Sequence, residues 1–207
     1  MDEVIGLFPT PFMRVERLLD RTLIDALLRQ FRTAAKNTNA KSNLLVHTEL
    51  LVPESDELLL QASKRIAPKL VAFGEHLFGE ALAWSIKEMW VNILETGGHQ
   101  SLHNHANSFI SGVLYLTPSH PSATTVFAKS PGGSEFIFNN TNTNATMGPF
   151  NAGKFIMPEA APGDMVLFPS YLLHEVPVNR GAQRISIAFN AIPDALDSWG
   201  YTVRFSK

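Results

Sequence analysis

The sequence contains no cysteine among its 207 residues. This absence excludes a disulfide framework, a thiolate zinc site and a thiol nucleophile. Any metal ligands must therefore come from His, Asp, Glu or Asn side chains. No apolar run approaches the roughly 18 residues of a membrane span, and the N-terminus MDEVIGLFPTPF lacks the basic and then apolar pattern of a secretion signal. We therefore expect a cytoplasmic protein without a membrane partner.

Charge of either sign is also scarce. Charged residues make up 17% of the sequence, and the formal net charge is −2. Because Lys and Arg are scattered rather than clustered, the sequence offers no electrostatic footprint for nucleic acid. Hydrophobic residues make up 45%, which predicts one compact domain with a well-filled core over residues 1–207.

Helical periodicity dominates the first part of the chain, about residues 1–82. DRTLIDALLRQFRTAAK repeats apolar residues at helical spacing, with Asp20 as its N-cap. PESDELLLQASKRIAPKLVAFGEHLFG resumes this spacing, with Ser55 or Asp56 near its N-cap and Pro68 as a point where the helix could break or kink. We expect a helical support region here.

From about residue 83 to residue 207 the pattern changes to short β-type runs separated by Gly, Pro and Asn. We predict strands in AWSIKEMWVNIL, FISGVLYLT, TTVFAK, EFIFNN, KFIMP, DMVLFP and RISIAFNAI, with YTVRF as an eighth candidate. The Asn/Thr-rich segment 139–152 is expected to be a loop, and such loops can select substrates. The prediction is a mainly β fold, a sandwich or jelly-roll barrel, with the N-terminal helices packed on one sheet.

Two of the seven histidines, His103 and His105, are spaced so that a strand would present them on one face. A third, His174, ends a distant strand-like segment, and Arg184 begins the next strand. Three ligands arranged in this way are typical of a facial metal site with open positions, which suits non-haem Fe(II). Arg184, with Ser186 on the same face, could bind a carboxylate. The alternatives are a pair of solvent-facing histidines and a rim salt bridge for Arg184.

Four segments together resemble a known family, the 2-oxoglutarate- and Fe(II)-dependent oxygenases, in particular those related to prolyl hydroxylases. They are LFPTPF, MWVNILETGGHQSLHNHANSFISGVLYL, PGDMVLFPSYLLHEV and RISIAFN. The resemblance implies a double-stranded β-helix, a jelly-roll or cupin-like barrel. It also implies Fe(II), 2-oxoglutarate and O₂, with ascorbate as a further candidate cofactor. In the implied reaction, oxidative decarboxylation of 2-oxoglutarate to succinate and CO₂ is coupled to hydroxylation of a substrate.

By this resemblance, His103 and His174 match the two histidine ligands. The family usually has Asp or Glu two residues after the first histidine, whereas this sequence has His105. A neutral imidazole there leaves the site one negative charge short. An alternative register takes His105 as the first ligand and Asn107 as its partner; we prefer His103 and His105 because their distance to LYL is closer to the usual spacing.

The resemblance also assigns residues to the cosubstrate. Arg184, with Ser186 in the pattern R-x-S, matches the basic residue that binds the distal carboxylate of 2-oxoglutarate. Tyr115 matches a strand tyrosine that often hydrogen-bonds the same carboxylate, and Asn92 is a weaker candidate for the pocket.

The implied function is hydroxylation of a protein or peptide side chain such as proline, with a small-molecule substrate as the second choice. One alternative is a three-histidine cupin-type dioxygenase that does not use 2-oxoglutarate. Another is a non-enzymatic jelly-roll binding protein. We expect a monomer or a homodimer.

Overall fold

The computed structural model describes residues 2–34, 37–38, 42, 44–129 and 143–205. Within these ranges the chain forms two α-helices and thirteen strands. In chain order they are β1 (Met13–Val15), α1 (Arg21–Phe31), β2 (Asn37–Thr38), β3 (Leu45–His47), α2 (Glu57–Phe78), β4 (Trp84–Leu94), β5 (Gln100–His103), β6 (Ile110–Tyr115), β7 (Val126–Ala128), β8 (Lys154–Ile156), β9 (Met165–Pro169), β10 (Leu173–Val176), β11 (Arg184–Pro193), β12 (Ala195–Ser198) and β13 (Tyr201–Arg204).

Both helices have an aspartate at the N-cap: Asp20, as predicted, and Asp56, one of the two predicted candidates. The Asp20 carboxylate accepts from the backbone N–H of Leu23 at 3.0 Å, and the Asp56 carboxylate accepts from that of Leu59 at 2.9 Å. These contacts satisfy N–H groups that have no partner inside the helix. α2 continues through Pro68 instead of breaking there. In the described part of the chain, no helix is both long and apolar enough to cross a lipid bilayer.

The strands form two main antiparallel sheets. The larger has the order β1-β9-β6-β11-β4-β3-β2, the smaller has the order β5-β10-β7-β8, and β12 pairs with β13 in a separate hairpin. Tyr115 and Phe168 of the larger sheet share a buried cluster with Phe127 of the smaller one. The two sheets therefore pack against each other, and the predicted double-stranded β-helix is confirmed.

Alternation along β4 and β11 divides the larger sheet into two faces. One face packs apolar side chains against the helices; this core contains Leu27, Leu59, Ile66, Leu70, Met89, Val91, Ile93, Ile185 and Ile187. The intervening residues lie on the opposite face, towards the smaller sheet, because side chains alternate along a strand. The helices thus stabilise one face and leave the other for the interior of the barrel.

The N-terminal region is not helical throughout. Three short strands, β1, β2 and β3, precede β4 and extend both ends of the larger sheet. The predicted strand EFIFNN lies outside the described residues, as does the first part of the predicted loop 139–152. The described part of that loop, residues 143–152, contains turns and no strand.

Candidate active site

A cavity of about 450 Å³ lies between the two sheets. The larger sheet contributes wall residues from alternate positions of β4 and β11, and the smaller sheet contributes His103 and His174. Apolar side chains, including Leu45, Phe168 and Val176, complete the wall. The lining also includes many polar side chains, among them Glu49 and Glu88, so the cavity offers both apolar contacts and hydrogen-bonding groups.

Three imidazoles meet at this cavity. His103 and His174 are direct cross-strand partners on β5 and β10. His105 lies beyond the end of β5, and its backbone N–H donates to the carbonyl of Ser170 at 3.0 Å. The expected arrangement of both histidines within one strand is therefore wrong, yet one ring nitrogen from each of the three histidines lies within 4.8 Å of the others.

The rings of His103 and His174 turn their Nδ1 atoms towards backbone carbonyls, and the Nε2 atoms of His105 and His174 lie close together. Nδ1 of His103 donates to the Ser101 carbonyl at 2.8 Å, and Nδ1 of His174 donates to the Leu172 carbonyl at 2.9 Å. Nε2 of His105 lies 3.3 Å from Nε2 of His174. Two imidazole–metal bonds of about 2.1 Å at right angles would separate their nitrogens by about 3 Å, so this spacing fits a shared metal ion.

Burial keeps the rings of His105 and His174 neutral. Burial lowers the pKa of His174 to about 3, with the nearby His103 as the second cause. Burial also lowers the pKa of His105 to about 4, and His103 is again the next cause. Because a metal binds the unprotonated nitrogen of a neutral imidazole, these rings are in the required form at neutral pH.

Arg184 lines the same cavity and is only 5% exposed. Its Nε donates to the Ser119 hydroxyl at 3.2 Å, and its guanidinium carbon lies 5.1 Å from the centre of the Tyr115 ring. Among the residues that the structure describes, no carboxylate forms an ion pair with it. A buried cation without an anion is costly, so this site fits an anionic ligand.

Ser186 and Asn92 also line the cavity and face each other across β11 and β4. Ser186 is buried, and Oδ1 of Asn92 accepts from the indole N–H of Trp90 at 3.2 Å. Both residues therefore lie on the wall that carries Arg184, and their predicted contact with the cosubstrate stays a prediction.

Tyr115 is fully buried, and its hydroxyl is already engaged. It contacts Oγ1 of Thr125 at 3.2 Å and donates to Sδ of Met157 at 3.1 Å. Its ring supports the guanidinium of Arg184, whereas Tyr115 is not among the described residues that line the cavity. Its predicted hydrogen bond to the cosubstrate stays a prediction, and the structure adds support of Arg184 as a second role.

Asn107, the alternative ligand, lies apart from the three rings. It is exposed, its backbone is in the left-handed region with φ 55°, and its carbonyl accepts from Nζ of Lys87 at 3.1 Å. It lines a separate pocket with Phe109 and Arg204. The structure thus brings His105, and not Asn107, into contact with His174.

Sequence reasoning missed the residues behind His105. Nδ2 of Asn190 donates to Oε2 of Glu88 at 2.9 Å and lies 3.3 Å from Nδ1 of His105. The Ser111 hydroxyl donates to Oδ1 of Asn190 at 2.8 Å. Burial raises the pKa of Glu88, but hydrogen bonds from Asn190 and Lys87 outweigh it and hold this pKa below its ordinary value. In RISIAFN, Asn190 falls on the same strand face as Arg184 and Ser186 because side chains alternate along a strand. This alternation could have predicted that Asn190 lies on the face of the sheet that carries the site.

Together, the barrel and its cavity define a double-stranded β-helix protein with a candidate metal centre inside the barrel. The model of the family described as "Putative 2OG-Fe(II) oxygenase" matches residues 88–190. This range includes all three clustered histidines and Arg184. Over these residues the chain belongs to the 2-oxoglutarate/Fe(II) oxygenase family. No protein of curated function matches the sequence.

Solved structures of low sequence identity share the fold. HygX from Streptomyces hygroscopicus, with nickel, 2-oxoglutarate and hygromycin B bound, is 11% identical with a TM-score of 0.64, covering 89% of this chain and 83% of that one. The epimerase SnoN from nogalamycin biosynthesis is 12% identical with a TM-score of 0.62, covering 90% and 80%. A Pseudomonas putida prolyl-4-hydroxylase is 15% identical with a TM-score of 0.61, covering 87% and 92%.

Proposed function

We propose that this chain is a non-haem hydroxylase in which His103, His105 and His174 hold Fe(II), and Arg184 binds the distal carboxylate of 2-oxoglutarate. One observation carries the proposal: a single cavity contains three clustered imidazoles and a buried guanidinium that has no carboxylate partner among the described residues. The first group is suited to a metal and the second to an anion, and the cosubstrate is the anion that this family uses.

The donor set fits iron. Imidazole nitrogen is a suitable ligand for iron, and three ligands leave further positions free. Bound Fe(II) would supply the oxidation chemistry that couples decarboxylation of 2-oxoglutarate, with O₂, to hydroxylation of a C–H bond. The family's usual carboxylate ligand is replaced by His105 in this assignment, and ascorbate remains a candidate for keeping the iron reduced.

The protein's own residues bind and orient the cosubstrate. The fork of Arg184 can donate two parallel hydrogen bonds to a carboxylate, and the Ser186 hydroxyl on the same wall can add a third. Tyr115 and Ser119 hold the guanidinium in place. Apolar residues such as Phe168 border the cavity and lower the local polarity, which strengthens this ion pair.

For the substrate, we propose a protein or peptide side chain such as proline. Likeness to the Pseudomonas putida prolyl-4-hydroxylase over 87% of this chain supports this choice, and a cavity of about 450 Å³ has room for a side chain beside the cosubstrate. A small molecule is the second choice, supported by the hygromycin B complex of HygX. A cytoplasmic monomer or homodimer is part of the proposal.

The first experiment tests the metal and the cosubstrate together. Under anaerobic conditions, Fe(II) and 2-oxoglutarate added to the protein should produce a visible metal-to-ligand charge-transfer band, and His174→Ala should abolish it. Absence of the band in the wild-type protein contradicts the proposal. Oxygen consumption that needs Fe(II) and a substrate but not 2-oxoglutarate would instead identify a three-histidine cupin-type dioxygenase.

The second experiment identifies the substrate class. Succinate release is measured with a library of proline-containing peptides and, in parallel, with a set of small metabolites. Stimulation by peptides, with a mass increase of one oxygen atom on the peptide, supports the proposal. Stimulation by metabolites alone replaces the peptide with a small-molecule substrate.

A further inference from the structure

The three clustered histidines have different neighbours. Nδ1 of His103 and Nδ1 of His174 each face a backbone carbonyl, which can only accept a hydrogen bond. Each of these rings therefore carries its proton on Nδ1. Nδ1 of His105 faces the side-chain amide nitrogen of Asn190 instead, at 3.3 Å. His105 is thus the one ring of the cluster whose Nδ1 faces a hydrogen-bond donor.

Asn190 is held in one orientation by its other contacts. Its Nδ2 donates to the Glu88 carboxylate at 2.9 Å, and its Oδ1 accepts from the Ser111 hydroxyl at 2.8 Å. An amide nitrogen carries two hydrogens, so the second one is available for Nδ1 of His105. Turning the amide over would place its oxygen against the carboxylate of Glu88. The negative charge of Glu88 therefore selects the orientation in which Asn190 donates to His105.

Backbone pairing places these residues together. Asn190 on β11 is the direct cross-strand partner of Glu88 on β4, and the register of the two strands shifts immediately after this pair. Such bulges redirect side chains next to functional sites. Asn190 is 2% exposed, so bulk water does not compete for its hydrogen bonds.

The proton position on His105 also matches its contact with His174. Since Nδ1 of His105 accepts, a neutral His105 carries its proton on Nε2, which lies 3.3 Å from Nε2 of His174. Nε2 of His174 is free to accept, because its proton is on Nδ1. The amide of Asn190 thus donates to Nδ1 of His105, and Nε2–H of His105 donates to Nε2 of His174.

We propose that Asn190, oriented by Glu88, is a positioning residue that keeps His105 in its Nε2–H tautomer in the metal-free protein. The inference rests on the proposed metal-binding role of the three histidines. For Nε2 of His105 to bind a metal, the proton on Nε2 must leave and Nδ1 must gain one, so the ring changes tautomer without a change of charge. Asn190 must then turn its amide to present Oδ1, and Glu88 opposes this turn.

The tautomer can be measured without any metal. In ¹⁵N-labelled metal-free protein at pH 8, long-range ¹H–¹⁵N spectra distinguish the two ring nitrogens of each histidine. We expect His105 to be protonated on Nε2, and both His103 and His174 to be protonated on Nδ1. Protonation of His105 on Nδ1 in the wild-type protein overturns the inference.

A pair of variants tests the consequence for metal loading. Asn190→Asp combined with Glu88→Gln exchanges the carboxylate and the amide at constant net charge, so residue 190 then accepts from Nδ1–H of His105. A carboxylate that accepts from a ligand histidine raises its basicity, and such partners change metal affinity by about 10- to 100-fold. We expect the double variant to bind Ni(II) at least about tenfold more tightly than the wild type. Glu88→Gln alone removes the charge that selects the donating orientation of the Asn190 amide, so we expect the Nδ1–H tautomer of His105 to become detectable in this metal-free variant.

Binding of Ni(II) alone can be followed by tryptophan fluorescence, because the Trp90 ring lies 5.8 Å from the ring of His105. Equal affinity of the double variant and the wild type, or an unchanged His105 tautomer in a folded double variant, contradicts the inference. If the double variant does not fold, the tautomer of His105 in the wild-type protein decides whether the inference holds. If the wild type binds no Ni(II), the proposed metal site fails, and the metal-free tautomer measurement still judges the role of Asn190.

Discussion

Arg184→Met separates a ligand-binding role of the guanidinium from a structural one. Hydrogen bonds to charged groups contribute about 1.5–3 kcal/mol each, and truncating one partner of a buried charged pair costs about 2–5 kcal/mol. At about 1.4 kcal/mol per factor of ten, the Kd for 2-oxoglutarate should rise about 30-fold to more than 1000-fold. The Fe(II) protein is titrated anaerobically with 2-oxoglutarate, and the charge-transfer absorbance is recorded.

The same variant should change the stability of the metal-free protein only slightly. Removing one partner of a structural buried ion pair typically costs about 3–5 kcal/mol. Arg184 has no such partner among the described residues, and its contact with the Tyr115 ring contributes up to about 2 kcal/mol. Removal of the buried charge offsets part of that loss, so the free energy of unfolding in urea should change by about 1 kcal/mol or less.

Arg180→Met is the matched control, because Arg180 is exposed and lies four residues earlier. It should change neither the Kd for 2-oxoglutarate nor the stability. An Arg184→Met protein that binds 2-oxoglutarate normally but unfolds 3–5 kcal/mol more easily, a cost typical of a broken buried ion pair, would refute the reasoning and make Arg184 structural.

Three further predictions concern the metal cluster and the sheet. His174→Ala should abolish Ni(II) binding in a calorimetric titration, whereas His76→Ala, on the exposed side of α2, should leave it unchanged. Because burial lowers the pKa of His174 from 6.5 to about 3, the unfolded chain binds a proton that the folded protein does not; stability should therefore fall as the pH drops from 6.5 towards 3. Urea denaturation should show a slope of up to about 1.4 kcal/mol per pH unit from this residue, and His174→Ala should flatten the profile; an unchanged profile contradicts this account. A Cβ on Gly112 would lie 2.1 Å from the ring of Phe189, so Gly112→Ala should destabilise by about 1–3 kcal/mol in the same assay. Gly153→Ala is the control: apart from its chain neighbours, no atom of the described residues lies within 4 Å of the added Cβ, so its effect should be near neutral.

The sequence pattern predicted the strands with clear alternation. RISIAFN was recognisable as a strand because its apolar and polar residues alternate, and this alternation placed Arg184 and Ser186 on one face. By contrast, β1, β2 and β3 have only two or three residues each. Segments of this length contain no detectable period, so only their pairing with longer strands defines them.

The histidine cluster could be predicted only in part. The spacing of His103 and His105 indicated two neighbouring rings, but the strand ends at His103. A hydrogen bond from the backbone of His105 to Ser170 brings His105 to the cluster, and a single sequence does not reveal such a distant contact. The pairing of Asn190 with Glu88 likewise depends on strand register, which the hydrophobic pattern does not specify to one residue at a bulge.

The short edge strand β1 covers one edge of the larger sheet. It pairs with β9, whose five residues are all buried, and Arg14 forms a 3.1 Å ion pair with the buried Asp164 just before β9. Without β1, the apolar run MVLFP would become an open sheet edge, which is a template for intermolecular β-pairing. A truncated chain that begins at residue 19 lacks β1 and should therefore aggregate more readily. A fusion tag at the N-terminus needs a linker that leaves β1 free to pair with β9.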